Sequence, residues 1–144
     1  MSISETLLQV REYTGIGYAP MIDSGAWRVA ILRFVDELLP HRLGKMQRHD
    51  KTDEVFVLLA GRCILFIGEG TEYVTAIHAQ DMEPMKLYNV KRGCWHTHTL
   101  SEDATVLIIE NQDTNSSNSP EIPLDVIQGG QLDELTRQLW GEGL

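Results

Sequence analysis

Basic residues are scarce in this chain. Twelve Lys and Arg stand against twenty-one Asp and Glu, a net charge of −9. With no broad basic surface to neutralise phosphates, a nucleic-acid partner is excluded. Cysteine is scarcer still. Cys63 and Cys94 cannot make a disulfide framework, and each sits in an apolar context, so both read as reduced thiols. Long hydrophobic runs are absent: none approaches the ~18 residues that span a bilayer, so no membrane partner is expected. The N-terminus also lacks the charged-then-apolar layout of a signal peptide, and the reading places the protein in the cytoplasm. No internal repeat is visible.

What is present suffices for one domain over residues 1–144, because 42% of the residues are hydrophobic. Six of the twelve basic residues (Arg28, Arg33, Arg42, Lys45, Arg48, Lys51) fall between positions 28 and 51, among only three acidic ones. That local excess suits an anionic small molecule, with scattered surface charge as the plainer reading.

The stretch from Gln47 to Gly61 sets His49, Asp53 and Glu54 directly against Val55–Ala60, a β-branched and aromatic run. A polar cluster that leads into a buried strand and ends at a glycine suggests a site at the mouth of a β-structure. A second such place is Gly93-Cys94-Trp95-His96-Thr97-His98. If the two strands lie side by side, His49, Glu54 and His96 converge on one cavity. Lys45, Gln47 and His49 alternate with Met46 and Arg48 and share one strand face, while Asp53 has the opposite parity to Glu54. His98, two residues past His96, shares its side. His41 and His78 fall in polar connections and read as surface.

The rest of the chain reads as short strands with turn punctuation: Trp27–Val35, Cys63–Ile67, Tyr73–Ile77, Leu87–Val90, His96–Leu100 and Thr105–Glu110. That spacing predicts an all-β antiparallel sandwich or barrel. Residues 2–13 read as a short helix opened by Ser2 and Glu5, with an edge strand as the competing reading. Gly15, Gly17 and Pro20 then break regular structure, and His78–Glu83 reads as polar connection. Asn111–Pro123 reads as a polar loop or tail. A short C-terminal helix is predicted near 132–140, preceded by Gly130 and carrying Leu132, Leu135 and Leu139 on one face.

These residues resemble the cupins. Their first motif is Gly, five residues, His-x-His, three or four residues, Glu, six residues, Gly. Here His49, Glu54 and Gly61 match, whereas Gln47 replaces the first histidine and His41 the leading glycine. Their second motif is Gly, five residues, Pro-x-Gly, two residues, His, three residues, Asn. Gly93 and His96 match, while Met85, Lys91 and Leu100 stand at the first glycine, the proline and the asparagine. The resemblance covers about residues 27–110 and implies a double-stranded β-helix, or jelly-roll barrel, with the short helix appended. It also implies a homodimer and activities as diverse as isomerases, epimerases, dioxygenases, lyases and storage proteins.

Cupin metals are held by three His and one Glu, so the resemblance implies a metal set of Gln47, His49, Glu54 and His96. The amide oxygen of Gln47 is the poorest of these ligands. Two imidazoles and a carboxylate still suit a divalent ion, with Zn, Mn, Fe and Ni undistinguished. His98 is the candidate catalytic acid or base, or the substitute for the missing histidine. Lys45 is a candidate for an anionic group of the ligand. Two functions remain open. One is a metal-assisted isomerase, epimerase or lyase acting on a small sugar-like or carboxylated metabolite. The other is a non-catalytic cupin without metal that binds a small ligand or serves as a dimeric scaffold.

Overall fold

A computed structural model describes residues 2–141. Ten strands form two five-stranded antiparallel sheets that face each other. The first sheet runs β1 (Gly17–Asp23), β2 (Trp27–Arg33), β9 (Thr105–Asn111), β4 (Glu54–Ala60) and β7 (Leu87–Val90). The second runs β10 (Glu121–Pro123), β3 (Lys45–Gln47), β8 (Trp95–Leu100), β5 (Cys63–Glu69) and β6 (Ala76–Asp81). One helix, α1 (Val126–Trp140), follows. This is a jelly-roll barrel.

Alternation decides which side chains enter the barrel. Ala30 and Leu32, Phe56 and Leu58, and Val106 and Ile108 point inward from the first sheet, against Cys63, Leu65 and Leu100 from the second. Strand β5 is buried on both faces. Ile64 and Phe66 point outward to a second cluster with Leu43, Trp95 and Leu132, which α1 covers. That packing accounts for the unbroken apolar run Cys63–Ile67.

Several boundaries differ from the sequence reading, each for a local reason. The helix begins six residues before the predicted start, because Asp125 and Gln128 form a reciprocal capping box. Gln128 is further held by Val74 O, and these contacts offset the cost of Gly129 and Gly130 within the helix. Leu132 and Leu135 of its leucine stripe pack on the barrel, while Leu139 stays 40% exposed. Residues 2–13 form neither helix nor strand; they hold one turn, at residues 5–7, with Ile3, Leu7, Leu8 and Val10 exposed. Pro20 does not end regular structure. It lies in edge strand β1, beside an irregularity between Pro20 and Ile22, where a missing N–H is tolerated. The strand expected at Tyr73–Ile77 is β6, shifted to Ala76–Asp81, so His78 lies in an edge strand, exposed and 2.6 Å from Glu69. The polar tail contributes β10, which pairs with β3.

The motif glycines carry a backbone signature. Gly61 and Gly93 have φ of 70° and 82°, and Met85, at the position of the family's first glycine, has φ of 66°. A methionine thus holds a conformation that costs an L-residue about 1 kcal/mol. Met85→Gly should raise stability by up to about 1 kcal/mol. By contrast, a Cβ on Gly61 would meet the Ala104 backbone at 2.6 Å. Gly61→Ala should therefore cost about 3 kcal/mol, clash and φ strain together. Urea unfolding midpoints at constant m-value check both expectations.

Candidate metal centre and cavity

Three elements deliver the site. Gln47 ends β3 and is Cα partner to His96 in β8. His49 lies two residues beyond β3, in a bend fixed by Gly93 N–H donating to its carbonyl at 2.8 Å. Glu54 opens β4. Arg48 N–H and Asp50 N–H donate to Pro120 O and Asn118 O, which brings the tail over the bend.

His49, Glu54 and His96 are each at most 6% exposed. Their ligating atoms lie within 4.8 Å of one another. Oε1 of Glu54 is 2.9 Å from Nε2 of His96 and 3.2 Å from Nε2 of His49. The outer ring nitrogens settle the tautomers. His96 Nδ1–H donates to Cys94 O at 2.9 Å. Ser119 Oγ gives its proton to Asn118 Oδ1 and so accepts from His49 Nδ1–H at 2.7 Å. In their neutral forms both imidazoles therefore aim Nε2 lone pairs at the same carboxylate oxygen. Acceptors facing acceptors need a cation between them, either a proton or a metal ion. Outward Nδ1–H bonds of this kind are the support that metal-ligating histidines use, so the residues fit a divalent ion.

Electrostatics follow from burial and these contacts. Burial pushes the Glu54 carboxyl up, but the bonds from His49 and His96 outweigh it and hold it well below the ordinary range. Burial lowers His49, and the bond to Glu54 more than restores it, so its pKa is raised. Glu110 is raised to about 7 by burial and by its hydrogen bond with Glu54. Its Oε1 also accepts from Tyr18 Oη–H at 2.5 Å and Arg28 Nη2–H at 2.6 Å. Burial and Glu110 together push the Tyr18 phenol up.

A cavity of about 390 Å³ opens above this cluster, bordered by Gln47, His98, Glu110, Asn115 and Lys45. Gln47 is half-buried, and its amide nitrogen donates to Ser119 O at 3.3 Å. Lys45 sits exposed at the rim, paired with Glu121 at 2.5 Å. His98 stands deeper, its ring centroid 5.8 Å from that of Phe56. Burial, then the neighbouring His96, lower its pKa to about 4. Asp53 points out of the barrel, to Arg92 N–H, Asn89 and Lys91.

Sequence reasoning overlooked Tyr18, Glu110 and Ser119, and marked Arg28 only as part of a basic excess. Glu110 did carry a signal, sharing the inward parity of Val106 and Ile108 at the end of an apolar strand. Arg28 is its direct Cα partner. Nothing marked Ser119 within the polar tail.

The sequence matches no family model and no curated protein. Among solved structures, Pac13 of Streptomyces, described as a nucleoside dehydratase, is similar at a TM-score of 0.54 and 6% identity. The match covers 78% of this chain and 83% of that one, and a variant of that protein is recorded with uridine. KdgF from Halomonas sp. gives a TM-score of 0.48 at 10% identity over 67% of this chain and 80% of its own. A cupin-2 domain protein from Shewanella frigidimarina gives 0.45 at 16% identity, over 74% and 88%. The chain has the cupin fold. At these identities the likeness is one of fold alone. No described helix is long and apolar enough to cross a membrane.

His98 gives a pH signature. Its folded pKa near 4 lies below the ~6.5 of an unfolded histidine, so its contribution to stability is complete above pH ~6.5. As the pH falls the unfolded chain takes up the proton first, and the contribution disappears by about pH 4, a loss on the order of 3 kcal/mol. Urea unfolding of wild type and His98→Phe between pH 4 and 7 should show this component only in wild type.

Proposed function

We propose that this chain is a small-molecule cupin with a divalent metal centre at His49, Glu54 and His96 and an active cavity above it. Its reaction is an elimination, isomerisation or epimerisation of a small sugar-like or carboxylated metabolite. The observation that carries this reading is the pair of imidazole Nε2 atoms locked onto one buried carboxylate oxygen. Gln47 is the candidate fourth ligand. A bound divalent ion would act as a Lewis acid that polarises a substrate oxygen. His98, neutral near pH 7, is the candidate catalytic group that bonds a substrate oxygen from the cavity, and Lys45 at the rim is the candidate partner for an anionic group. Pac13, described as a nucleoside dehydratase, is a precedent for water elimination in this fold.

A second reading has its own support. Glu54 Oε1 already lies within hydrogen-bond distance of both imidazoles, so a proton on each Nε2 satisfies the cluster without metal. Elemental analysis of the purified protein separates the two. The first reading expects one divalent ion per chain, and affinity lower by roughly 100-fold or more in His49→Ala and His96→Ala, since each removes a ligand. Metal content unchanged in both variants places the ion elsewhere. A wild-type protein that binds none when divalent ions are supplied at pH 7.5 establishes the metal-free reading.

A homodimer is part of the proposal. The outer face of the first sheet carries the cross-strand rows Val29–Ile109–Val55 and Ile31–Leu107–Val57. Trp27 beside them is 49% exposed, and Leu87 is 76% exposed. Light scattering at micromolar concentration should give twice the chain mass; a monomer mass removes this part.

A further inference from the structure

Strand register divides the cavity into two layers. On β2, β4 and β9 the inward side chains step from Arg28, Glu54 and Glu110 to Ala30, Phe56 and Ile108. These are aligned rows: Arg28 pairs with Glu110, and Ala30 and Phe56 both pair with Ile108. Charge thus gives way to apolar surface at a single step, and Leu32 and Leu38 extend the apolar layer. The second sheet keeps polar groups at the lower level: β8 steps from His96 to His98, and β3 steps from Gln47, the Cα partner of His96, to Lys45, which turns to Glu121 at the rim.

Nothing in the described residues engages the ring nitrogens of His98. Nδ1 of His98 is sealed from solvent without a hydrogen-bond partner, which leaves Nε2 as the ring nitrogen that meets the cavity. A proton on Nδ1 would be a buried donor with nothing to accept it, so the favoured tautomer carries it on Nε2 and offers one donor to a ligand. Resting on the reading that the cavity takes a small molecule, we infer that its ligand is a planar or largely apolar ring with one acceptor for His98. An oxygen-bearing arm of that ligand reaches up to the Glu54 layer. A ring hydroxylated all round fits poorly, because each hydroxyl set against Phe56, Leu32 or Ile108 without a partner loses roughly tenfold in affinity. This narrows the substrate class from sugar-like metabolites to compounds with a heteroaromatic or cyclic carbonyl body.

A matched set of small probes tests it: 3- and 4-pyridylmethanol, which carry a ring acceptor, against the isosteric benzyl alcohol, with xylose as the polyol. Titrations of the full chain are followed by NMR, with EDTA present so that no pyridine nitrogen binds a metal. The expected result is that one pyridylmethanol binds about tenfold more tightly than benzyl alcohol, the worth of one hydrogen bond to a group otherwise unpaired. That preference should vanish in His98→Phe and persist in His98→Gln, whose amide keeps a donor. The inference is overturned if xylose binds more tightly than the aromatic alcohols, or if no aromatic probe binds. It also fails if wild type shows no preference, or if the preference survives in His98→Phe. Because the titrations exclude metal, a failed metal assay leaves this result standing, and a failed titration leaves the metal centre standing.

Discussion

One carboxylate oxygen organises this molecule. Glu54 Oε1 is buried at the first residue of β4, and both flanking imidazoles turn Nε2 toward it. A buried carboxylate with no compensation would be severely destabilising, and an ion pair repays its desolvation only when every remaining hydrogen-bonding group is satisfied. The chain supplies that satisfaction from distant segments. Cys94 O holds His96, Ser119 Oγ holds His49, and Glu110 holds Glu54. The centre is therefore a constraint on folding as well as a candidate reactive site, since strands β3, β4, β8 and the tail must all be in register for it to close.

The fold meets that constraint through its turns. Positive φ at Gly61, Met85 and Gly93 reverses the chain at three points, and the Gly93 turn bonds directly to the carbonyl of His49. The tail is braced by its own side chains, with Asn115 and Asn118 bonded to each other and to Asp113 O. It reaches the site as a shaped wall and ends in β10, which secures it to β3. What a local reading would take for a linker completes the cavity.

This explains what was legible in the sequence. The strands of the barrel could be read because their constraint is local: alternation at Trp27–Arg33 and Thr105–Asn111, and an apolar run at Cys63–Ile67. The approach of His49, Glu54 and His96 was legible in outcome but not in route: β4 and β8 do not lie side by side but in opposite sheets, and the three side chains meet across the barrel. The helix start at Val126 could not, since the Asp125–Gln128 cap is set against two glycines that taken alone predict an end. Ser119 and Tyr18 could not either. Their partners lie 70 and 92 positions away, and no spacing rule spans a pairing that only the assembled sheets create. Arg28 was visible as a charge but not as a partner, because its role depends on standing opposite Glu110.

The glutamine at position 47, where cupins carry the first histidine of their motif, becomes intelligible in this setting. An amide is a weak ligand, and by itself it would argue for a centre that has lost its metal. Its nitrogen is already committed to Ser119 O, the same residue that orients His49. Gln47 thus braces the tail, a task that an imidazole serving the metal could not perform with the same atoms. Meanwhile Glu110 brings a second carboxyl to the cavity, its pKa raised to about 7 by burial and by the neighbouring Glu54. A carboxyl raised toward neutrality in this way makes the charge of the site responsive to what enters. A divalent ion bound beside it would favour its ionised form, the usual linkage between metal affinity and ligand deprotonation. Without a histidine at position 47, the atoms that could hold a cation remain those of His49, Glu54 and His96.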